Sequence, residues 1–576
     1  MKRESFLHLI AVARGEESAD VLLQNGRVVN VFSGEVVEAD VALAGEFIAA
    51  VGRGYEGREV IDLAGKFVTP GLIDGHVHIE SSMVTPPQFA RAVVPRGTTT
   101  VVTDPHEIAN VAGADGIRYM TAASEGLPLT VFVNLPSCVP ATDMGTAGAV
   151  LEAEDLEALR DLPRVLGLAE FMNVPGAVLG LPGAVDKLMA FRDGHIDGHA
   201  PGVTGKQLQA YAAAGPSTDH ESMTQEEALE KVRAGMHIFI REATAAKNLR
   251  DLAPAVTPQN GRRFAFATDD RHPAELLEEG HVDYLMRLAV ETGLDPIQVV
   301  CMATLNAAEA FGLRDRGAIA PGRRADLVIT ASLEEFRAEM VFSGGRLVAC
   351  DGEPVSAWGQ PEVDESAVRG SVHVDLEALS FRVPAEGKYL RVIGIVPGQL
   401  VTKELLLLPK VVEGEVVADV ERDVLKLAVV ERHRGTGNVG LGFVKGLGLK
   451  RGAIAGSVGH DCHNLTVAGT DDVSMHTAVR AVKEMGGGLV AVLDGDVLGR
   501  VALPIGGLMS KHTVEAVYEE MEALLDAAAD LGSSLRDPFM YLGFLALEVI
   551  PKLKLTDKGL VDVEKFTFVP LWYAGE

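Results

Sequence analysis

The stretch Phe67-Val68-Thr69-Pro70-Gly71-Leu72-Ile73-Asp74-Gly75-His76-Val77-His78-Ile79-Glu80 runs from an apolar segment into a His-x-His pair. On an extended strand, side chains at i and i+2 leave from the same face. His76 and His78 can therefore point together at one cation from a short, stiff element. Histidine is the commonest metal ligand, and its neutral imidazole is available near pH 7. A surface strand with two solvated histidines would carry the same local pattern. The rest of the chain has to separate these readings.

Downstream, apolar strand candidates at 99–103, 129–134, 165–170, 196–199, 218–220, 237–240 and 263–268 alternate with helical candidates. The helical stretches lie at 154–162, 184–191, 205–214, 225–234 and 282–291. Such alternation over residues 70–318 predicts an α/β fold, a (β/α)8 TIM-like barrel with its site at the C-terminal strand ends. A charged group recurs at those ends: Glu170 in Leu166-Gly167-Leu168-Ala169-Glu170, His199 in Ile196-Asp197-Gly198-His199, His220 in Thr218-Asp219-His220, and Asp269 or Asp270 in Thr268-Asp269-Asp270-Arg271. An acid closing an apolar run is costly unless it is paired or ligates a cation. Together with His76 and His78, these residues suit two divalent metals bridged by Glu170, which would hold a hydroxide nucleophile at neutral pH.

Around the barrel, residues 1–69 and 319–370 read as two parts of one small composite β domain. Short strands and turn signals (Asn25-Gly26, Ser33-Gly34, Gly344-Gly345) mark both segments. Asn-Gly between apolar strands predicts a hairpin turn at 25–26. Residues 371–576 form a third, C-terminal α+β region, with strand candidates at 389–396 and 427–431, a glycine-rich stretch at 439–448 and a helical stretch at 509–531.

At 576 residues, with 47% hydrophobic and 23% charged side chains, the chain is long enough for several buried cores and is not disordered. A net charge of −29 repels phosphate backbones and argues against a nucleic-acid partner. The four cysteines (Cys138, Cys301, Cys350, Cys462) show no paired spacing, as suits a reducing cytoplasm. The basic N-terminus has too short an apolar run for a signal peptide, and no stretch of eighteen apolar residues predicts a membrane span. A soluble cytoplasmic enzyme is expected, as a homodimer or larger symmetric assembly.

The ordered ligand set resembles the amidohydrolase superfamily, whose members carry a His-x-His after the first barrel strand, a Lys or Glu after the fourth, His after the fifth and sixth and Asp after the eighth. Further stretches resemble the adenine deaminase family over nearly the full length. These are His78-Ile79-Glu80-Ser81-Ser82-Met83, Thr103-Asp104-Pro105-His106-Glu107-Ile108, Val458-Gly459-His460-Asp461-Cys462-His463-Asn464, Leu503-Pro504-Ile505-Gly506-Gly507-Leu508-Met509-Ser510 and Pro551-Lys552-Leu553-Lys554-Leu555-Thr556. The resemblance implies hydrolytic deamination of adenine to hypoxanthine and ammonia, a purine-salvage reaction. It also implies two divalent ions, Mn2+ or Fe2+, with Zn2+ the alternative.

Amidohydrolases of acidic rings commonly have His-x-His-x-Arg, the arginine gripping a carboxylate. Here Glu80 takes that place. An acid there repels a carboxylate and suits a donor-rich purine, or it orients a ligand histidine. Asp269 is expected to act as ligand and general base, with Asp270 the alternative, and Glu80 or a nearby carboxylate to protonate the ring. The zinc cytidine-deaminase signature needs a Cys-x-x-Cys pair, which this chain lacks. Two clusters stay open as substrate or auxiliary sites. Asp104, His106 and Glu107 could equally be a helix N-terminus, and His460, Asp461 and His463 could equally be a turn. The competing functions are another amidohydrolase cleaving a cyclic amide or N-acyl group, and a non-catalytic barrel binding metal or purine.

Overall fold

The computed structural model describes residues 2–359 and 361–574. A nine-stranded sheet is fed from both sides of the barrel. Ala19–Asn30, Glu35–Ala44, Phe47–Gly52, Gly57–Asp62 and Phe67–Pro70 precede it, and Leu327–Thr330, Met340–Ser343, Arg346–Cys350 and Glu353–Pro354 follow it. The seam is the antiparallel pairing of Phe67–Pro70 with Leu327–Thr330. After Pro70 a single residue, Gly71, leads into the barrel. A Cβ there would lie 2.2 Å from the Thr99 hydroxyl, so glycine leaves the room that the Thr99 side chain fills.

The expected hairpin at Asn25-Gly26 is overturned. Both residues lie inside the single strand Ala19–Asn30, and the register slips there by one residue, from Leu23↔Val41 to Gly26↔Ala39. Asn25 takes φ 58° and Gly26 follows it, so the pair forms a bulge rather than a turn. The αL residue preferred by tight turns also serves bulges, and local sequence does not separate the two. The reversal lies at 31–34 instead, with Gly34 N donating to Asn30 O.

The barrel strands are β1 (Leu72–Val77), β2 (Thr98–Thr103), β3 (Thr130–Leu135), β4 (Val165–Phe171), β5 (His195–Gly198), β6 (Thr218–Asp219), β7 (His237–Arg241) and β8 (Phe264–Ala267). Neighbours from β1 to β5 pair in parallel, as do β6 to β8. Ser217 N donates to Ile196 O between β5 and β6, and Asp269 N donates to His76 O where β8 meets β1, so the barrel closes. β1, β2 and β8 are buried along their whole length, as expected of parallel strands covered by helices. The expected helix at 154–162 is shorter, Ala153–Glu157. Beyond it the chain continues in tighter turns, with Leu159 N donating to Leu156 O, Arg160 N to Glu157 O and Leu162 N to Leu159 O.

Beyond the composite sheet, a second nine-stranded sheet includes Tyr389–Ile395, Val424–Val430, Val439–Lys445, Ala453–Gly456 and Leu465–Gly469. One hydrophobic cluster runs from Ile79, Val84 and Phe89 beside the barrel to Leu503, Met509, Val514 and Leu524 of this C-terminal region. The backbones also join, with Ser510 N donating to Met83 O and Thr85 N to Ser510 O. The helix expected at 509–531 therefore starts only at Val514, because 509–510 are used in this junction. Among the described residues, no helix is long and apolar enough to cross a membrane.

Candidate active site

At the C-terminal ends of the strands, His76 and His78 bring their Nε2 atoms within 3.1 Å of each other. His78 Nδ1 donates to the Asp104 carbonyl at 2.9 Å, and His76 Nδ1 lies 3.3 Å from Asp197 Oδ2. These contacts set both tautomers so that the Nε2 lone pairs face inward. Asp197 is buried. Against the cost of that burial, the neighbouring His195 and His76 imidazoles hold its carboxyl well below the usual range.

Glu170, next to last in β4, has its two oxygens turned to different groups. Oε1 lies 3.5 Å from His78 Nε2, 3.9 Å from His76 Nε2 and 3.4 Å from His106 Nδ1. Oε2 lies 2.5 Å from His199 Nδ1 and 3.3 Å from His220 Nε2. Asp269 Oδ1 completes the first group at 3.2 Å from His78 Nε2. The arrangement has two lobes joined by one carboxylate. Two buried imidazole lone pairs 3.1 Å apart repel unless a proton or cation lies between them, and nitrogen and carboxylate donors of this kind fit divalent metals.

The loops carrying these donors are held from outside the barrel. Lys231, fully buried, donates to Ala200 O and Asp219 Oδ2, and Asp219 Oδ1 accepts from Ala200 N. That network ties the residue after His199 to the residue before His220. Of the two neighbouring aspartates, Asp269 lies in the cluster, whereas Asp270 accepts a hydrogen bond from Ser81 Oγ.

Glu80 is 3% exposed, with Oε1 accepting from Ile108 N and Oε2 lacking a hydrogen-bond partner. Burial pushes its carboxyl up to about 7. The two open clusters prove to be one. Glu107, in the first turn of the helix His106–Ala123, faces His460 Nδ1 at 3.0 Å and also pairs with His463 Nε2. His106 Nε2 lies 3.5 Å away, and its Nδ1 lies 3.2 Å from Asp104 Oδ2. Asp461 is 6% exposed, and burial raises its carboxyl to about 6.

Arg432 holds the loop that brings His460–His463 to the barrel. Its side chain is fully buried and donates to the carbonyls of His463, Ser371 and Gly506 and to Ser371 Oγ. Sequence reasoning missed Arg432, Lys231, Arg241 and Glu221. Arg241 closes β7, so a charged residue ending the apolar run Ile238-Phe239-Ile240 was the available signal.

A closed barrel with a His-x-His on its first strand and this donor cluster at the strand ends defines a metal-dependent amidohydrolase, and residues 67–348 match the amidohydrolase family. Residues 399–567 match the adenine deaminase C-terminal domain. The chain is 50% identical over 572 residues to an adenine deaminase of Desulfatibacillum aliphaticivorans, covering 98% of this chain and 99% of that one. It is 51% identical over 566 residues to adenine deaminase 2 of Carboxydothermus hydrogenoformans, with 98% and 99% covered. A relative from Methanothrix thermoacetophila is 48% identical over 571 residues, again with 98% and 99% covered. The chain belongs to the adenine deaminase family.

Proposed function

We propose that this protein hydrolyses adenine to hypoxanthine and ammonia. The observation that carries the reading is that similarity to adenine deaminases extends through the C-terminal region, and that region reaches the site through His460 and His463. His76, His78, Glu170, His199, His220 and Asp269 would hold two divalent ions, most simply Mn2+ or Fe2+, with Zn2+ the alternative. Ions held there would lower the pKa of a water to near neutrality. Asp269 accepts the proton of the attacking water and passes it to the departing ammonia. Glu80, with its unpartnered Oε2, protonates a ring nitrogen so that negative charge does not build up in the purine. Glu107, His460, Asp461 and His463 line the side of the site nearest β2 and exclude water there.

The same reading takes 70–318 as the catalytic barrel, 1–69 and 319–370 as the composite β domain and 371–576 as the C-terminal domain. It describes a cytoplasmic homo-oligomer acting on a small molecule rather than on nucleic acid or a membrane. The test is ammonia release and the ultraviolet change on mixing Mn2+-loaded protein with adenine, with adenosine and cytosine as controls. Turnover of adenine alone supports the reading. Silence on adenine after verified metal loading overturns it and turns attention to cyclic amides.

A further inference from the structure

Strand β7 has no residue in the ligand set, yet it ends in Arg241, which is 9% exposed and lies against Asp269. Its NH1 donates to Asp269 Oδ2 at 2.6 Å. The guanidinium also grips Glu221 with two nitrogens, NH2 meeting Oε2 at 2.7 Å and NH1 pairing with Oε1. Asp269 thus divides its oxygens, Oδ2 going to Arg241 and Oδ1 facing His78. Asp269 also takes φ 57°, a left-handed backbone that a non-glycine residue adopts at a cost of roughly 1–2 kcal/mol.

The outer contacts of the two β1 histidines are acceptors, Asp197 for His76 and the Asp104 carbonyl for His78, and acceptors strengthen a ligand. Arg241 does the reverse, because a cation on Asp269 draws negative charge away from the ligand set. A residue placed only to tighten metal binding would not be an arginine. Its planar fork suits a different task, fixing the rotation of a carboxylate.

We propose that Arg241 is a positioning residue for the reaction: locked by Glu221, it holds Oδ2 of Asp269 so that Oδ1 faces the metal-binding histidines. The proposal rests on the reading of Asp269 as ligand and proton carrier. Arg241 acts through Asp269, and Glu221 locks Arg241 while its Oε1 also lies 3.8 Å from His199 Nδ1 and His220 Nε2, which is why metal content is measured for its variant too.

The experiment uses full-length Mn2+-loaded protein and the variants R241M, R241K and E221Q, with kcat, KM and metal content measured for each. R241M is expected to lose about 100-fold in kcat with KM within about threefold, the scale of a misplaced catalytic group. It should keep two metals per chain through dialysis against chelator at least as well as wild type, because a nearby positive charge has gone. R241K restores charge without the fork and should remain about 10-fold down. E221Q should lose about 10-fold, and the R241M/E221Q double variant should be no worse than R241M alone, as for residues acting as a unit.

A kcat for R241M within about threefold of wild type overturns the proposal. So does a loss of activity that tracks loss of metal. If R241M does not fold, wild-type kcat in E221Q overturns it equally. Failure of the underlying function is distinguishable, since wild-type protein would then be inactive on adenine. Failure of the ligand reading would appear as unchanged metal content in D269A.

Discussion

The barrel floor of the site and the wall facing it from the C-terminal region use the same residue types but are held in different ways. On the floor, His76, His78, Glu170, His199, His220 and Asp269 sit at the ends of paired strands, where backbone ladders set each position to within a rotamer. The wall joins Glu107 on a helix to His460 and His463 on a turn, 353 and 356 positions away. Locally the turn is closed by His463 N donating to Gly459 O, and its hold on the rest of the molecule comes from elsewhere. Arg432 clamps it through carbonyls, with no carboxylate ion pair among the described residues, and burial lowers the guanidinium to about 9. The donors proposed to gather cations stand on closely spaced strand ends, whereas the wall is assembled from two regions far apart in the chain.

Breaking the floor should have the largest effect. D269N should lose roughly 10^4-fold or more in kcat while adenine binding stays measurable by isothermal titration. Turnover near wild type would remove Asp269 from the mechanism. H463A should lose about 10^2–10^3-fold in kcat/KM while retaining both metals, measured by elemental analysis alongside steady-state kinetics. Loss of a metal in H463A would merge wall and floor into one ligand set and end the comparison.

A third test probes the support behind the wall. Glu548 is 1% exposed, and its Oε1 accepts a hydrogen bond from Thr142 across the junction between barrel and C-terminal region. Burial raises its carboxyl to about 7, above the 4.5 of an unburied glutamate. The folded state therefore binds an extra proton between these values. That stabilisation is fully present below about pH 4.5 and is lost as the pH rises through about 7, up to roughly 3 kcal/mol at 1.36 kcal/mol per pKa unit. The melting temperature of wild type relative to E548Q should fall between pH 5 and 7.5. A constant difference across that range would mean that Glu548 does not titrate there.

The smallest effect belongs to a site far from either region. N25A should cost about 1 kcal/mol in denaturant titrations, because alanine tolerates φ 58° poorly and loses the bond to Asp62. N25G should be nearly neutral, and both variants should keep wild-type kcat/KM. A kinetic defect in N25A would show that the composite sheet controls the barrel mouth.

The barrel and the positions of its donors are legible in the amino-acid sequence, because strand periodicity is local. Residues two apart share a face, and a charge that closes an apolar run marks a strand end, so spacing alone singles out His76, His78, Glu170, His199 and His220. Their order resembles that of the amidohydrolase family, which the match over residues 67–348 bears out. The bulge at Asn25 escapes such reading because the same dipeptide serves turns and bulges, and only the partner strand's register tells them apart. The choice of Asp269 over Asp270 depends on a left-handed backbone and on the hydrogen bond from Ser81 to Asp270. Glu107, His460 and His463 meet only because a shared apolar core docks the C-terminal region on the barrel. Such docking depends on two whole surfaces fitting together, and no spacing along one chain encodes it.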